Sequence, residues 1–360
     1  MYVMNAWSLL LVIFILSLEI SIAVSIYDFD QPETTGTQNR KLKKKYRNEN
    51  PIVYLSTPEG IMANFRQVEN LWKIAIAARR SIKVASRFMS DHYDNSLLNF
   101  CQIFAVPETV SCTNDSMEVI AQLAPSCSLI NSAKVNVWYN EPSLYGLLNH
   151  SVPAANIDFS LVECLAGYVH AKTISAKRSP KYFPQHELHE NYTRHLPTLL
   201  QILTNNRQNS TVTVVYHWRR GDQLSTRCNA TRKRQTPDLS VNCKGVNAFV
   251  RAANTALGNV QATAGNRTII RYVATNENNR TAMDHLHQQG FLLFEDIAER
   301  VQQFLEVSRL NRFLVEVLLM CHADHFFRWG FSEIHDFMRH CRAERQERLK
   351  VSSRSTAVLS

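Results

Sequence analysis

The chain has 360 residues, of which 45% are apolar and 20% are charged. This composition is typical of a folded protein with one large domain or two of ordinary size. The formal net charge is +9, but part of the excess lies in residues 41–47, and the other basic residues are spread along the chain without interleaved aromatics. That pattern argues against a nucleic-acid partner. A small anionic ligand would need only one or two well-placed arginines.

The chain begins with a nearly continuous apolar run over residues 6–26. A helix of about 20 apolar residues is long enough to span a bilayer. Small residues at 23–25 match the spacing of a signal-peptidase site and favour a cleaved signal peptide. A retained membrane anchor is the alternative, although residues 1–5 carry no lysine or arginine. Both interpretations place the rest of the chain in the secretory pathway, in the lumen of the endoplasmic reticulum or Golgi, after a polar stem at residues 27–50.

Cysteines and glycosylation tripeptides support a lumenal location. The chain has eight cysteines, and an even number in an oxidising compartment favours disulfides over metal ligands. Neighbouring cysteines suggest the pairs Cys101–Cys112, Cys228–Cys243 and Cys321–Cys341, although the sequence alone leaves the connectivity open. Asn-x-Ser/Thr tripeptides begin at Asn114, Asn149, Asn191, Asn209, Asn229, Asn266 and Asn279.

The first half of the chain begins with a βαβ pattern. Residues 52–55 predict a short buried strand, residues 56–60 a turn, residues 62–80 an amphipathic helix and residues 82–85 a second strand. A strand, a helix and a strand in this order imply a parallel sheet. From about residue 91 to residue 197, the cysteines and prolines predict loops and short helices inserted around that sheet.

Strands and helices alternate through the second half. The strongest strand signal is at residues 212–216, which are mostly β-branched. Further strands are predicted at residues 268–274, 291–294 and 325–327, and helices at residues 194–206, 246–257, 281–289, 304–321 and 332–342.

The alternation predicts an α/β protein made of two Rossmann-like domains that face a central cleft. We expect an N-terminal domain at residues 51–205 and a C-terminal domain at residues 206–345. A polar tail follows at residues 346–360.

A basic hexapeptide directly follows the strongest strand: His217-Trp218-Arg219-Arg220-Gly221-Asp222. In open α/β sheets, ligands bind outside the carboxyl ends of the strands, so Arg219 would face a ligand crevice. A guanidinium group suits a diphosphate because its planar fork makes bidentate, charge-assisted hydrogen bonds. Gly221 permits a tight turn, and Asp222 could orient an arginine or cap the next helix. A strand end with solvated arginines is the alternative.

This segment resembles the His-x-Arg signature of fucosyltransferases that use GDP-fucose, including protein O-fucosyltransferases and the α1,2 and α1,6 enzymes. Residues 60–66 are similar to the N-terminal Gly-x-x-Gly-Asn region of that family. Residues 321–332 resemble its C-terminal Ala-Asp-His-Phe segment with a later serine, and residues 272–277 are a weaker match to its Val-Ala-Thr-Asp. The motifs occur in the expected order and span roughly residues 52–342.

The resemblance implies a GT-B fold and inverting transfer of fucose from GDP-fucose to a protein or glycan hydroxyl, without a metal or a further cofactor. The chain's Asp-x-Asp, at residues 28–30, lies in the predicted stem. By resemblance, Arg219 binds the donor β-phosphate and stabilises the leaving GDP, while His217 supports that loop or contacts the nucleotide. The implied donor-binding set is His217, Arg219, Asp222, Asn64, Asp324 and Ser332.

The general base is assigned to Glu59 as first candidate, because some protein O-fucosyltransferases place a glutamate just before the glycine of the N-terminal motif. Asp222 is the second candidate. The alternative for Glu59 is an ordinary turn residue.

Four positions depart from the family pattern. Asn276 stands where the family commonly has aspartate, and Ala63 replaces a glycine. Trp218 replaces a small aliphatic residue, and Glu333 replaces a second serine. These departures leave two other functions open: a glycosyltransferase of the same fold with another nucleotide-sugar donor, and an inactive, lectin-like member that binds glycoproteins.

A second histidine-containing segment is assigned no function. His186 and His189 are three residues apart, a spacing that can hold a metal on a helix, but they do not form a His-Glu-x-x-His motif. A solvated polar helix face is the interpretation we favour.

Overall fold

Parallel strands form a six-stranded and a three-stranded sheet in the computed structural model, in agreement with the predicted α/β class. The described residues lie within residues 46–360, which form one compact unit. The structure describes residues 51–55, 60–85, 88–89, 97–112, 128–130, 151–152, 161–167, 186–207, 210–219, 228, 241, 243–330, 332 and 334–357. The predicted signal or anchor at residues 6–26 and the predicted stem lie outside them. Among the described helices, none has both the length and the apolar character needed to cross a bilayer.

The N-terminal sheet is built from short strands. In chain order, the strands of the first half are β1 (Ile52–Leu55), β2 (Ile82–Val84), β3 (Phe88–Met89), β4 (Leu97–Leu98), β5 (Val110–Cys112), β6 (Ser128–Ile130), β7 (Ser151–Val152) and β8 (Cys164–Gly167). Strands β3 and β4 form an antiparallel pair. The other six pair in parallel in the order β5-β2-β1-β8-β6-β7.

Helix α1 (Ile61–Ala77) connects β1 to β2, which confirms the predicted βαβ unit. Its apolar side chains recur every three or four residues, so one face is buried. Phe65, Val68 and Trp72 lie on this face. Helix α2 (Phe100–Ile103) begins at Asn99, whose side chain accepts a hydrogen bond from the backbone N–H of Cys101 at 3.0 Å.

The helix predicted at residues 194–206 is confirmed as α4 (Leu196–Thr204), and a short helix, α3 (Glu190–Thr193), precedes it. Pro197 occupies the first turn of α4, where a residue without a backbone N–H is tolerated. Helix α4 ends at Asn205, which has a left-handed backbone conformation with a φ of 49°.

The C-terminal sheet consists of β9 (Thr211–Trp218), β10 (Thr268–Thr275) and β11 (His325–Trp329), in the order β10-β9-β11. Both pairs are parallel. The helices around this sheet are α5 (Val246–Ala264), α6 (Arg280–Gln288), α7 (Glu295–Gln302), α8 (Arg309–His322) and α9 (Ile334–Ala357).

One predicted element of this half was wrong, and another begins later than predicted. Residues 291–294 do not form a strand, because only Leu292 pairs with β10, opposite Tyr272, and α7 begins directly afterwards. The helix predicted at residues 304–321 begins only at Arg309, after Ser308, whose hydroxyl accepts a hydrogen bond from the backbone N–H of Asn311 at 3.1 Å. This N-cap fixes the start of the helix more strongly than the apolar residues before it. Helix α9, in contrast, runs on through the predicted polar tail to residue 357.

The C-terminal sheet is covered on both faces. Every residue of β9 is buried, as expected for a central parallel strand with helices on both sides. Side chains alternate along the strand, so Val214, Tyr216 and Trp218 pack in one apolar cluster with α5, and Val215 packs in a second cluster with α8 and α9. That second cluster is continuous with the core around α1.

The three predicted disulfides are confirmed: Cys101–Cys112, Cys228–Cys243 and Cys321–Cys341. Cys164 is also disulfide-bonded. Cys321–Cys341 ties the last turn of α8 to α9, so it connects the two helices that pack on the same face of the C-terminal sheet.

Candidate functional site

The candidate site lies where the three strands of the C-terminal sheet end together. Trp218, Thr275 and Trp329 are register partners at the carboxyl ends of β9, β10 and β11. Arg219 follows Trp218 directly and is half-buried. The sheet therefore presents Arg219 at the edge where open α/β sheets bind their ligands.

The alternation of β9 determines which face Arg219 shares. Trp218 is fully buried and stacks on Phe249 of α5, with 4.9 Å between ring centroids and 11° between ring planes. His217 points to the opposite face, where its Nδ1 lies 2.8 Å from Nε2 of His335 in α9. Arg219 is two residues beyond His217, so it follows the same face, towards the start of α9.

The His217–His335 pair is buried, and its protonation follows from its surroundings. Burial, followed by the neighbouring His217, Arg328 and Arg219, holds the pKa of His335 well below its usual range. His335 is therefore a neutral imidazole at physiological pH. Arg219 contributes to this shift, which indicates that its positive charge is felt at the start of α9.

The start of α9 completes the positive character of this edge. After β11 the chain turns at Gly330, which has a φ of 72° that favours glycine. Ser332 is buried, and its carbonyl accepts a hydrogen bond from the backbone N–H of His335 at 3.0 Å. The first backbone N–H groups of a helix carry partial positive charge and bind anions. Arg219 and the amino end of α9 therefore form an arrangement suited to an anionic ligand such as a diphosphate.

The loop after β10 is held close to the same edge. The hydroxyl of Thr275 donates to the Trp218 carbonyl at 2.6 Å, and it accepts a hydrogen bond from the backbone N–H of Glu277 at 3.0 Å. The buried Glu277 carboxylate accepts the backbone N–H groups of Asn278 and Asn279. Asn276, between Thr275 and Glu277 in the sequence, is exposed. The Glu277 carboxylate therefore shapes the loop, whereas Asn276 is exposed to solvent, as are Asn278 and Asn279.

Asn64 lies in the first turn of α1, where it is fully buried and its Nδ2 donates to the Gly60 carbonyl at 3.4 Å. The next residue, Phe65, packs edge-on against Phe337 of α9 with 5.0 Å between ring centroids. This contact brings the first turn of α1 close to the first turns of α9. Ala63 adopts the helical conformation of α1, for which alanine has the highest propensity.

Asp324 lies at the other end of the sheet. It directly precedes β11, and its carboxylate accepts hydrogen bonds from the backbone N–H and the hydroxyl of Thr213 at 2.8 and 2.9 Å. Arg219 lies six positions after Thr213 along this extended segment, or about 20 Å away at 3.3 Å per residue. The structure therefore does not bring Asp324 together with Arg219 and Ser332, and gives it a structural contact between β9 and β11.

The two candidate general bases, Glu59 and Asp222, lie outside the described residues. His335, in contrast, is a site residue that the sequence analysis missed. Its position three residues after Ser332 was the only available signal, because its contact with His217 joins residues 118 positions apart.

A buried titratable residue, Glu316, lies behind β10. Burial raises the pKa of Glu316 in α8 to about 8, although the neighbouring Arg312, with its Nε 3.6 Å from Oε1 of Glu316, acts in the opposite direction. Arg312 also donates to the Thr275 carbonyl at 3.3 Å and to Glu295 at 2.6 Å. This cluster supports the end of β10 from the side of α8.

His186 does not lie on a solvated helix face, so that interpretation was wrong. It is buried, with Nδ1 3.3 Å from a carboxylate oxygen of Glu344 and Nε2 3.7 Å from Glu69. Although burial opposes it, these carboxylates raise the pKa of His186. The residue joins α1 to α9 through these two carboxylates. Within the described part of the chain, no three histidine, cysteine or carboxylate side chains are grouped so that they could hold a metal ion.

No family model matches the chain, and no curated protein matches it in sequence. Among solved structures, the chain is similar to NodZ α-1,6-fucosyltransferase soaked with GDP-fucose, with 10% identity and a TM-score of 0.46 over 80% of this chain and 92% of that one. NodZ from Bradyrhizobium gives 9% identity and a TM-score of 0.46, over 81% and 92% of the two chains. POFUT1 in complex with GDP gives 11% identity and a TM-score of 0.44, over 82% and 96%. At these identities and scores the likeness is too distant to transfer a function.

Proposed function

We propose that this chain is a glycosyltransferase that moves fucose from GDP-fucose to a hydroxyl group of a protein or a glycan. The observation that carries the proposal is the position of Arg219. It follows the buried central strand β9 at the carboxyl edge of a parallel sheet, on the face where α9 begins. The order of the three family-like motifs along the chain also supports the proposal.

Arg219 is proposed to stabilise the leaving group. Glycosyl transfer passes through an oxocarbenium-like state in which negative charge develops on the departing diphosphate. A guanidinium group can bind two oxygens of that diphosphate, and the amino end of α9 adds partial positive charge. Because Arg219 supplies a fixed cation, this chemistry requires no metal ion. His217 and Ser332 are proposed to shape the diphosphate site, and transfer is proposed to occur with inversion.

Glu59 is proposed as the general base that removes the proton from the acceptor hydroxyl, with Asp222 as the second candidate. A general base must be deprotonated to act, so its pKa sets the acidic limb of the pH–rate profile. Replacing Glu59 with glutamine should remove that limb. An unchanged acidic limb in Glu59→Gln would assign the role elsewhere, with Asp222→Asn as the next variant to measure.

A different sugar donor is the second candidate function, and Asn276 favours it. This exposed residue stands where the family commonly has aspartate, and the neighbouring Glu277 is occupied by backbone N–H groups of its own loop. An amide cannot accept as strongly from a donor hydroxyl or amine as a carboxylate can. Asn276→Asp should therefore raise affinity for GDP-fucose if fucose is the donor, and leave it unchanged if another nucleotide sugar is.

The proposed location is the lumen of the secretory pathway. Three disulfides support an oxidising compartment. Asn191, Asn266 and Asn279, which begin three of the glycosylation tripeptides, are exposed. The proposed partners are a glycoprotein or glycan acceptor and the nucleotide-sugar donor.

The test is ligand binding by the folded protein. A ligand that binds only the folded state raises its stability by about 2.7 kcal/mol at a concentration of 100 Kd. GDP and GDP-fucose should raise the thermal unfolding temperature, GDP-mannose should act through its GDP moiety, and UDP should have little effect. If none of the guanine nucleotides raised the unfolding temperature, the inactive, lectin-like alternative would be favoured.

Arg219→Ala should then lower the rate of fucose transfer by about 10²–10³-fold, the effect of removing one preorganised donor from a developing anion. Its circular dichroism and unfolding temperature should remain close to those of the wild type, because Arg219 lies beyond the end of β9. Arg219→Lys should also be impaired, since an ammonium group cannot make the bidentate contact. Substantial turnover by folded Arg219→Ala protein would refute the assignment.

A further inference from the structure

His335 is a buried titratable residue that the proposed chemistry does not use. It lies in the first turn of α9, and its Nε2 is 2.8 Å from Nδ1 of His217 at the end of β9. The two rings meet edge to face, with 5.0 Å between centroids and 87° between planes. Both residues are about nine-tenths buried. The contact therefore connects the strand that carries Arg219 to the helix that follows Ser332.

The hydrogen bond between two imidazoles needs one hydrogen on the shared axis. When both rings are neutral, one nitrogen donates and the other accepts, and the choice fixes the tautomer of each ring. The pair thus controls which nitrogen of His217 carries a hydrogen on its far side. A phenyl ring in place of His335 would fill similar space but could not fix the tautomer or the ring orientation.

We propose that His335 is a positioning residue of the donor site: through its hydrogen bond to His217 it holds the end of β9 against the first turn of α9, so that Arg219 and the helix terminus face one diphosphate. This inference rests on the proposed function. It deepens that proposal, because it gives the His217–His335 pair the role of aligning Arg219 with the amino end of α9, which lies on a separate element.

Binding of a diphosphate should change the protonation of the His217–His335 pair. The groups that act on His335 are His217 of β9, Arg328 of β11 and Arg219 beyond β9, and all of them disfavour its protonated form. A diphosphate bound beside Arg219 adds negative charge that offsets these effects. A single added proton can then be shared along the hydrogen bond between the two rings. Binding of GDP-fucose, whose two phosphates are both esterified and do not titrate near pH 6, should therefore be accompanied by uptake of part of a proton, and its affinity should rise as the pH falls below 7.

The experiment compares two substitutions at residue 335 by isothermal titration calorimetry at pH 6 in two buffers of different ionisation enthalpy. GDP is used to measure affinity, and GDP-fucose, whose diphosphate does not titrate near pH 6, is used to measure proton uptake. His335→Phe should weaken GDP binding by about tenfold, the effect of losing one buried hydrogen bond, and should abolish proton uptake. His335→Gln places an amide near the position of the imidazole Nε2. It should retain affinity within about threefold, equivalent to under 1 kcal/mol, but should also lose proton uptake, because an amide does not titrate.

His340→Phe is the matched control. His340 is another histidine of α9, partly buried, and its ring lies 4.5 Å from that of His186, not against His217. Its substitution should lower stability without changing GDP affinity or proton uptake. If the role of His335 were purely structural, His335→Phe would likewise lower stability without changing GDP affinity.

The outcomes are separable. Unchanged GDP affinity in folded His335→Phe would overturn the inference, and so would unchanged proton uptake in His335→Gln if the phenylalanine variant failed to fold. In either case the proposed function would stand. If the wild type did not bind GDP or GDP-fucose, both the proposed function and this inference would be overturned.

Discussion

The two parallel sheets differ in how firmly the chain holds them. In the C-terminal sheet, β9 and β10 pair over eight residues, and β9 is buried along its whole length. In the N-terminal sheet, adjacent strands pair over only two or three residues. The long, doubly covered sheet is the one whose carboxyl edge carries Arg219. A rigid frame of this kind can hold a charged group in place for a ligand.

The N-terminal sheet relies more on local links. The Cys101–Cys112 disulfide joins α2 to the edge strand β5. The indole N–H of Trp72 in α1 donates to the hydroxyl of Thr109 at 2.9 Å, just before β5. Arg80 donates to the Val162 carbonyl near β8. We infer that substitutions in the N-terminal strands leave the candidate site around Arg219 in place. Substitutions in the core beneath β9 displace that site.

The largest expected effect compares a buried tryptophan in each region. Trp218→Ala and Trp72→Ala should each lower the free energy of unfolding by about 3–5 kcal/mol, because each removes a large buried side chain. Only Trp218→Ala should also weaken GDP binding in the protein that remains folded, since the buried Trp218 directly precedes Arg219 and anchors that end of β9. Chemical denaturation and calorimetry measure the two quantities. Equal losses of GDP affinity in both variants would show that the regions do not differ in this way.

The second prediction concerns acid stability. Burial is the main cause that lowers the pKa of His322 to about 4, of His340 to about 3, and of His335 well below 6.5. The unfolded chain protonates these residues near pH 6.5, so it binds more protons than the folded state below that pH. The stability that these three histidines contribute should therefore be complete above pH 6.5 and should be lost as the pH decreases.

Glu316 opposes this trend. Its pKa of about 8 means that its contribution is present below pH 4.5 and is lost as the pH rises through 8. Taken alone, these four residues should give the unfolded chain about two more bound protons than the folded state between pH 6.5 and 4.5, a slope of about 2.7 kcal/mol per pH unit. Denaturant titrations at several pH values measure this slope. His340→Gln should lower it by the amount that corresponds to one proton.

Hydrogen exchange would locate the acid effect. The three neutral histidines lie in α8 and α9, against the C-terminal sheet. Amides of β9 and β11 should therefore lose protection on acidification before amides of β1 and β2. Simultaneous loss in both sheets would indicate that the regions unfold together.

The smallest effect distinguishes the two edges of the C-terminal sheet. Asp324→Asn should cost about 1–2 kcal/mol in stability, because it weakens the charge-assisted hydrogen bonds to Thr213 at the amino end of β9. GDP affinity should stay the same, since this edge lies about 20 Å from Arg219. Ser332→Ala, at the carboxyl edge, is the comparison variant and should weaken GDP binding. A loss of affinity in Asp324→Asn would restore Asp324 to the donor site.

Much of the fold could be predicted because local patterns were strong. The β-branched run at residues 212–216 predicted β9, and the helical stripe from Phe65 to Trp72 predicted α1. The three disulfide pairs followed from short separations of 11, 15 and 20 residues. The predictions that differ from the structure, at residues 291–294 and at the start of α8, also have local causes. A single bridge at Leu292 looks like a strand, and a serine cap at Ser308 outweighs the apolar residues before it.

By itself, the sequence determined which residues end the strongest strand, and so placed His217 and Arg219 beyond its carboxyl end. Periodicity and strand propensity are local properties, and they can be read without knowing the partners. Only the tertiary structure decided that Asp324 belongs to the opposite edge and that His335 meets His217. Contacts between residues more than 100 positions apart depend on how the strands are ordered and which helix covers each face, and no local pattern encodes that order.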